Sequence, residues 1–376
     1  MRIKVVSLLT LYLFAWLTYC RRFFYTSPNT VHRILIPSQL LLGDAIFLVG
    51  FAARVGAHFP HSRVVIAGPS HLIEVCKRFG VGHEHYLWNP RSLRSLLAIR
   101  RGGYYALSFA VAEKHAPLWS RACGAYAVRA FEHSSSLIHN FLSDSLEPFP
   151  RRQMALGDLL LLLLTPPRDT SLDRWRPSSS PTQTRCQSGK GGIKVLLHVG
   201  ARNSNRRWLA NYWSDLADKL RSHGYKIYWS YSESELEWAR LIRKSVLDTD
   251  FDGKLTLSRL IDEIMTKDII ICPDTGIAHI CKLTGTPSVV IYGQGNPAIH
   301  GNGIFWKAAP VRNLYVQNIK CRDMHQLFNR HVDWVVRCDR GPKLCSNPYC
   351  QNLITPEEVY LAAMGILRET QNYNAI

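Results

Sequence analysis

The residues best placed to do chemistry sit in one stretch, Lys267 to Gly293. Asp274, Thr275 and Gly276 lie where an apolar run (Ile269-Ile270-Ile271-Cys272) is stopped by Pro273 and a helix begins, with Asp274 or Thr275 as its N-cap. A helix N-terminus presents free N–H groups and a partial positive charge, which suits a phosphate. His279, four residues after Thr275, falls on the same helix face one turn on. The same pattern also fits a plain strand–helix unit with a capped helix and a histidine at the edge of its core. Two further residues carry charge at matching positions. Asp44, in Leu42-Gly43-Asp44-Ala45, follows a strand and loop at a helix start. It is either a carboxylate favoured by the helix dipole or a general base for a hydroxyl nucleophile. Arg206 lies in the cationic loop Gly200 to Trp208, which is either a solvated basic loop or a second grip on an anion.

The elements that must position these residues alternate. Strands are expected at 33–36, 63–67, 104–110, 193–199, 225–230, 269–272 and 288–292. Helices are expected at 44–57, 71–79, 156–164, 211–222, 233–244 and 277–283, and a further helix starts near Pro356. Short apolar strands alternating with helices predict an α/β chain built on doubly wound parallel sheets, whose ligands sit beyond the carboxyl ends of the strands. The stretch 166–192, with its Pro-Pro, Ser-Ser-Ser-Pro and Gly-Lys-Gly-Gly, has linker composition. Its Gly-Lys is no phosphate-binding P-loop, because Thr184 stands where the first glycine of that motif belongs.

The 376 residues suffice for two domains, and 47% hydrophobic with 20% charged residues is a globular balance. A formal charge of +18 suggests an anionic partner. No nucleic-acid motif accompanies it, so an acidic membrane surface or a phosphorylated substrate is the better fit. Ten cysteines in a chain of this length suit a reducing compartment rather than a disulfide scaffold. Val5 to Tyr19 is uncharged and mostly apolar, with Arg2 and Lys4 before it and Arg21-Arg22 after it. It is shorter than the roughly 20 residues of a full span. The expectation is a helix on or in the membrane, with a marginal signal-anchor or a packed N-terminal helix as the other readings. Cys321, Cys338, Cys345 and Cys350 could ligate a metal, but they contain no Cys-x-x-Cys pair, and reduced structural thiols are expected instead.

Asp-Thr-Gly-Ile-Ala-His, followed by Leu-Thr-Gly-Thr-Pro, a strand and Gly293, resembles the signature of glycosyltransferase family 9, the ADP-heptose:lipopolysaccharide heptosyltransferases. The resemblance implies a GT-B architecture, two Rossmann-like doubly wound domains facing across a cleft. The organisation it suggests is a membrane-associating tail (1–30), an acceptor domain (31–165), the linker (166–192), a nucleotide-sugar domain (193–320), and a cysteine-bearing loop with a terminal helix (321–376). It implies that Asp44 is the general base. Arg206 matches a family lysine on the donor diphosphate, beside Trp208. Asp274, Thr275, Gly276 and His279 would hold that diphosphate, and Glu235 is the nearest match to a glutamate that meets the ribose. Gln294 to Pro297 resembles the family's Gly-Pro-Thr-x-Pro turn, and Ile354 to Val359 its last helix start.

The reaction implied is inverting transfer of heptose from ADP-heptose to the inner core of lipopolysaccharide, with no cofactor, at the cytoplasmic face of the bacterial inner membrane. A related branch, the autotransporter heptosyltransferases, binds iron through four cysteines at a different spacing. Two other classes remain open: a same-fold transferase using another nucleotide sugar or a protein acceptor, and a non-catalytic membrane-bound scaffold.

Overall fold

The structure is a computed structural model that describes residues 2–21, 32–103, 105–111, 113–133, 136–164, 192–345 and 348–374, without the side chains of 2–8 and 371–374. The expected linker lies outside it except for Gly192. The chain divides into two compact units: Met1–Leu172 with Gln326–Trp334, and Asp173–His325 with Val335–Ile376.

The first unit opens with helix α1 (Arg2–Arg21). There follow β1 (Arg33–Pro37), α2 (Leu42–His58), β2 (Arg63–Gly68), α3 (Ser70–Arg78), β3 (Glu84–Leu87), α4 (Leu93–Arg101), β4 (Tyr105–Ala110), α5 (Ala116–Ala122), β5 (Ala125–Phe131), α6 (Leu137–Phe141), β6 (Ser145–Glu147) and α7 (Leu156–Leu162). The six strands form one parallel sheet in the order β3-β2-β1-β4-β5-β6. Ile34, Leu35 and Ile36 are fully buried, as a strand covered on both faces requires. The order reverses between β1 and β4, so the loops leaving these two strands form the switch point where ligands bind in such sheets.

The N-terminal helix docks on this unit by one face. Leu11 and Ala15 join a core with Leu96 and Ile99 of α4 and Ala116, Trp119 and Ala122 of α5. Arg100 fastens the contact: its guanidinium lies 4.9 Å from the Phe14 ring and donates to Thr18 Oγ1 at 3.1 Å and to the Ala122 carbonyl at 2.6 Å. Of the three readings of this segment, docking of one face is what the structure describes. No described helix is long and apolar enough to cross a membrane.

The second unit runs β7 (Lys194–His198), α8 (Ala210–Ser222), β8 (Lys226–Ser230), α9 (Leu236–Ala239), β9 (Thr249–Asp250), α10 (Leu257–Thr266), β10 (Ile269–Pro273), α11 (Gly276–Thr284), β11 (Ser288–Tyr292), α12 (Pro297–His300) and β12 (Val311–Tyr315). Its sheet is also parallel, in the order β12-β11-β10-β7-β8-β9, with the switch point between β10 and β7. The chain then makes a hairpin, β13 (Gln326–Leu327) and β14 (Arg330–His331), turned by Phe328 and Asn329 at positive φ. The hairpin belongs to the first unit: Arg330 donates to the Glu132 and Phe131 carbonyls at 3.1 and 3.3 Å. The chain ends in α13 (Tyr349–Asn352) and α14 (Pro356–Asn374), the latter packed on α8 and β11.

One element is shorter than the sequence suggests. The helix expected over 233–244 is a 3-10 turn at Glu233–Glu235 followed by α9, which stops at Ala239. Beyond it the chain is drawn away: Arg243 N–H donates to Ser214 Oγ at 3.0 Å. The Asp248 carboxylate collects Ser245 N–H, Trp229 Nε1 and Arg221 Nε at 3.0, 2.8 and 3.1 Å.

Candidate functional site

Each unit carries a polar cluster at its own switch point. In the second unit the loop after β7 and the loop after β10 meet. Thr275 is the N-cap of α11 with extended backbone, yet its side chain makes no capping bond. Its Oγ1 is buried with no partner. Asp274 is not the cap. Its N–H donates to the Ile291 carbonyl at 3.0 Å, tying the loop to β11. Its carboxylate lies against Gly295, where any Cβ would overlap it. Gly295 is therefore required for close approach rather than for φ.

Arg206 reaches this loop from the 3-10 turn at Ser204–Arg206, donating from Nη1 to the Asp274 carbonyl at 3.3 Å. Its Nε is buried without a partner. The turn is held from behind. Gln351 Nε2 donates to the Arg206 carbonyl at 2.8 Å, and Asn203 Nδ2 to Gln294 Oε1 at 3.1 Å. Gln294 Nε2 and Asn205 Nδ2 both donate to the Arg340 carbonyl, at 2.6 and 3.1 Å. Trp208 is fully buried and donates from Nε1 to the Ile354 carbonyl at 2.8 Å. It fixes the loop to the start of α14.

His279 and Lys282 follow on α11. Both are buried, with Lys282 Nζ 3.5 Å from His279 Nδ1 and bonded to the His300 carbonyl. Burial holds the His279 imidazole well below its usual range, and the charges of Lys282, His300 and Arg206 press the same way, so it is neutral at pH 7. Burial also brings Lys282 down to about 8, against the pull of Asp274. At neutral pH Lys282 is thus largely a cation, and its charge offsets that of Asp274. Sequence reasoning missed Lys282. Its signal is the His279-x-x-Lys282 spacing, which puts both on one helix face.

Glu235 stands against Gly200, at the start of the loop after β7. Its Oε2 accepts the Ser232 N–H at 2.8 Å in a capping box, and a Cβ at Gly200 would overlap the carboxylate. Burial pushes the nearby His198 imidazole down to about 4, with Glu235 opposing the shift. The structure brings together Arg206, Asp274, Thr275, Gly276 and His279 at the start of α11, and sets Glu235 against Gly200 in the loop that carries Arg206.

In the first unit Asp44 lies half-buried in the first turn of α2, whose N-cap Leu41 offers no side-chain bond. The residue that sequence reasoning missed here is Glu113, in the loop after β4. Its Oε1 accepts the Gln39 N–H at 2.6 Å and the Ser38 hydroxyl at 3.4 Å, and its Oε2 is buried with no partner. Burial raises the Glu113 carboxyl above its usual range; these hydrogen bonds oppose the rise and the negative charge of Asp44 adds to it. Two carboxylates thus stand together at the β1/β4 switch point. Only the strand order, which places β4 beside β1, could have revealed the pair.

With this geometry in hand, comparison with known proteins is specific. Residues 163–330 match the model of glycosyltransferase family 9 (heptosyltransferase). Over this stretch the chain is similar to glycosyltransferase family 9. It is 25% identical over 124 residues to the lipopolysaccharide core heptosyltransferase OpsX of Haemophilus influenzae, a stretch that is 32% of this chain and 33% of that protein. The fold matches a family 9 glycosyltransferase of Veillonella parvula, at a TM-score of 0.71 and 18% identity over 92% of this chain and 100% of that one. It also matches the ADP-heptose lipopolysaccharide heptosyltransferase II of E. coli, at 0.67 and 14% over 90% and 99%. The chain thus has the α/β, GT-B-type fold of these transferases, with one parallel six-stranded sheet in each unit.

The four cysteines of the C-terminal region are free thiols. Cys321, Cys338 and Cys345 all act on Cys350, whose thiol is raised chiefly by burial. Among the described residues no group of three or more histidines, cysteines or acids has the arrangement to hold a metal ion.

Proposed function

We propose that the protein is an inverting glycosyltransferase that moves heptose from ADP-heptose to the inner core of lipopolysaccharide. One observation carries the donor half of this reading. Two buried donors without partners, Arg206 Nε and Thr275 Oγ1, converge at the N-terminus of α11. Buried polar groups are nearly always satisfied, so a pair left open at a switch point marks where a ligand's oxygens go. A helix N-terminus, a guanidinium and a hydroxyl are donors suited to a diphosphate. Glu235, a carboxylate at the loop edge, suits the hydroxyls of a ribose. The heptose and the lipopolysaccharide core come from what the related proteins are named for.

In the reaction Asp44 accepts the proton of the attacking hydroxyl as the new C–O bond forms at the anomeric carbon. The bond from that carbon to the β-phosphate oxygen breaks, and ADP leaves with the electron pair. Arg206 and the helix N-terminus stabilise the negative charge that develops on the leaving group. Lys282 compensates Asp274 so that the loop does not repel it. Glu113 keeps a second acid beside the base. The lipopolysaccharide acceptor would be met at the cytoplasmic face of the bacterial inner membrane, and its phosphates suit the charge of +18.

The test is incubation with a panel of nucleotide sugars, ADP-heptose included, and heptose-deficient lipopolysaccharide, read by mass. A heptose-sized gain from ADP-heptose is expected. A gain from a different donor would replace the substrate. No gain from any donor, with nucleotide still bound, would favour a protein acceptor or a scaffold.

A further inference from the structure

We propose that the outer face of α1, together with α6, is a docking surface for a lipid bilayer carrying anionic headgroups. The transfer reaction does not enter the argument. The helix α1 is apolar all round. Its inner stripe, with Leu11, Ala15 and Thr18, is buried on the first unit. Its outer stripe is Leu9, Tyr12, Leu13, Trp16 and Leu17, at the i, i+3, i+4, i+7, i+8 spacing of one helix face. All five are exposed, Trp16 by 62%. A helix apolar on every side normally has every side covered.

The patch continues past the end of the helix. Tyr19 packs against Phe141 of α6 with ring centroids 5.1 Å apart. On α6, Leu137, Ile138 and Phe141 are exposed by 85%, 53% and 65%. A contiguous apolar surface of this extent on one side of a unit marks an interaction site.

The choice of a bilayer rests on charge and residue type. Neither α1, α4 nor α6 contains an acidic residue. Arg21 at the end of α1 is exposed, as are Arg94 and Arg101 of α4, the helix that Arg100 ties to α1. Tryptophan and tyrosine favour the headgroup level, where an apolar ring and a polar tip are both satisfied. Apolar insertion together with basic residues gives the two signals that stable peripheral attachment needs. The helix would lie in the interface, held from above by the first unit.

The test is flotation of the full chain with vesicles of phosphatidylcholine alone or mixed with phosphatidylglycerol. Binding to the anionic vesicles is expected, weakening as salt rises. Leu13→Ser with Trp16→Ser should lower it at least about tenfold, since each side chain gives up roughly a tenfold factor of partition. Leu137→Ser with Phe141→Ser, on α6, should lower it in the same direction. Thermal unfolding unchanged in both variants shows that the fold is intact. Binding equally to both vesicle types, failure to bind either, or variants that bind as the parent does would overturn the proposal. So would a lipid-free dimer, seen by sedimentation, that the same substitutions dissociate. Vesicle binding needs no turnover, so this result and that of the transfer assay are independent.

Discussion

Replacing Arg206 by methionine removes a charge from the proposed diphosphate site and leaves the surrounding fold in place. The loop is fixed through its backbone, by Gln351 Nε2 on the Arg206 carbonyl and by the buried Trp208. The side chain spends one bond inside the protein, Nη1 to the Asp274 carbonyl at 3.3 Å, and keeps Nε open. A hydrogen bond from a charged group contributes about 1.5–3 kcal/mol. Loss of one such bond to the diphosphate predicts a rise in Kd for ADP of about 10- to 150-fold. Lysine at 206 keeps the charge but not the planar fork, so its effect should fall between the two. Calorimetric titration with ADP and AMP reads this directly. The loss should be larger for ADP, which has the additional phosphate. Unchanged ADP affinity in Arg206→Met, or an equal loss for both nucleotides, would refute the assignment of Arg206 to the diphosphate.

Three further outcomes follow from the same contacts. Lys282 falls to about 8 in the folded protein, below its unfolded value, so the folded state sheds its proton first as pH rises. Burial of the cation therefore opposes folding below pH 8, and the penalty is relieved between about pH 8 and the unfolded lysine range. Urea unfolding should show the parent gaining stability relative to Lys282→Met over that interval; a difference independent of pH would contradict it. In Gly295→Ala the new Cβ must displace the Asp274 carboxylate. A cost of about 1–3 kcal/mol in thermal unfolding is expected, along with weaker ADP binding, whereas a neutral result would mean the loop can yield. The charge of Asp44 helps to raise the Glu113 carboxyl, so in Asp44→Asn Glu113 should titrate at lower pH than in the parent, read from its side-chain carboxyl signal in an NMR titration; an unmoved titration would separate the two carboxylates.

Much of this arrangement is legible in the sequence where local signals are strong. Ile269 to Tyr292 declares strand, helix and strand because solid apolar runs are stopped by Pro273, Gly285 and Pro287. Gly285 takes the left-handed conformation, φ 67°, that ends α11. The region from Gly82 to Glu147 is poorly legible. There β3 is Glu-His-Tyr-Leu with no alternation, and α5 and α6 are too short for a periodic signal. These elements are held by non-local contacts: the buried Arg121 pairs with Asp144 and donates to the Leu142 and Ala125 carbonyls, both at 3.0 Å. The residues at the β10/β7 switch point were readable because they follow strands with a motif. Glu113 was not, since its place depends on which strand lies beside β1. The contribution of Asp274 also differs from a simple cap, because its carboxylate lies against Gly295, a contact no local pattern encodes.

The most direct measurement is heptose transfer by Asp44→Asn against the parent, with ADP affinity measured on the same samples. The account predicts ADP binding within about twofold of the parent, because Asp44 belongs to the first unit and the nucleotide site to the second, and transfer lower by about 10²–10⁴-fold, the usual contribution of general acid–base catalysis. Transfer at the parental rate with intact binding would contradict the assignment of Asp44 as the base.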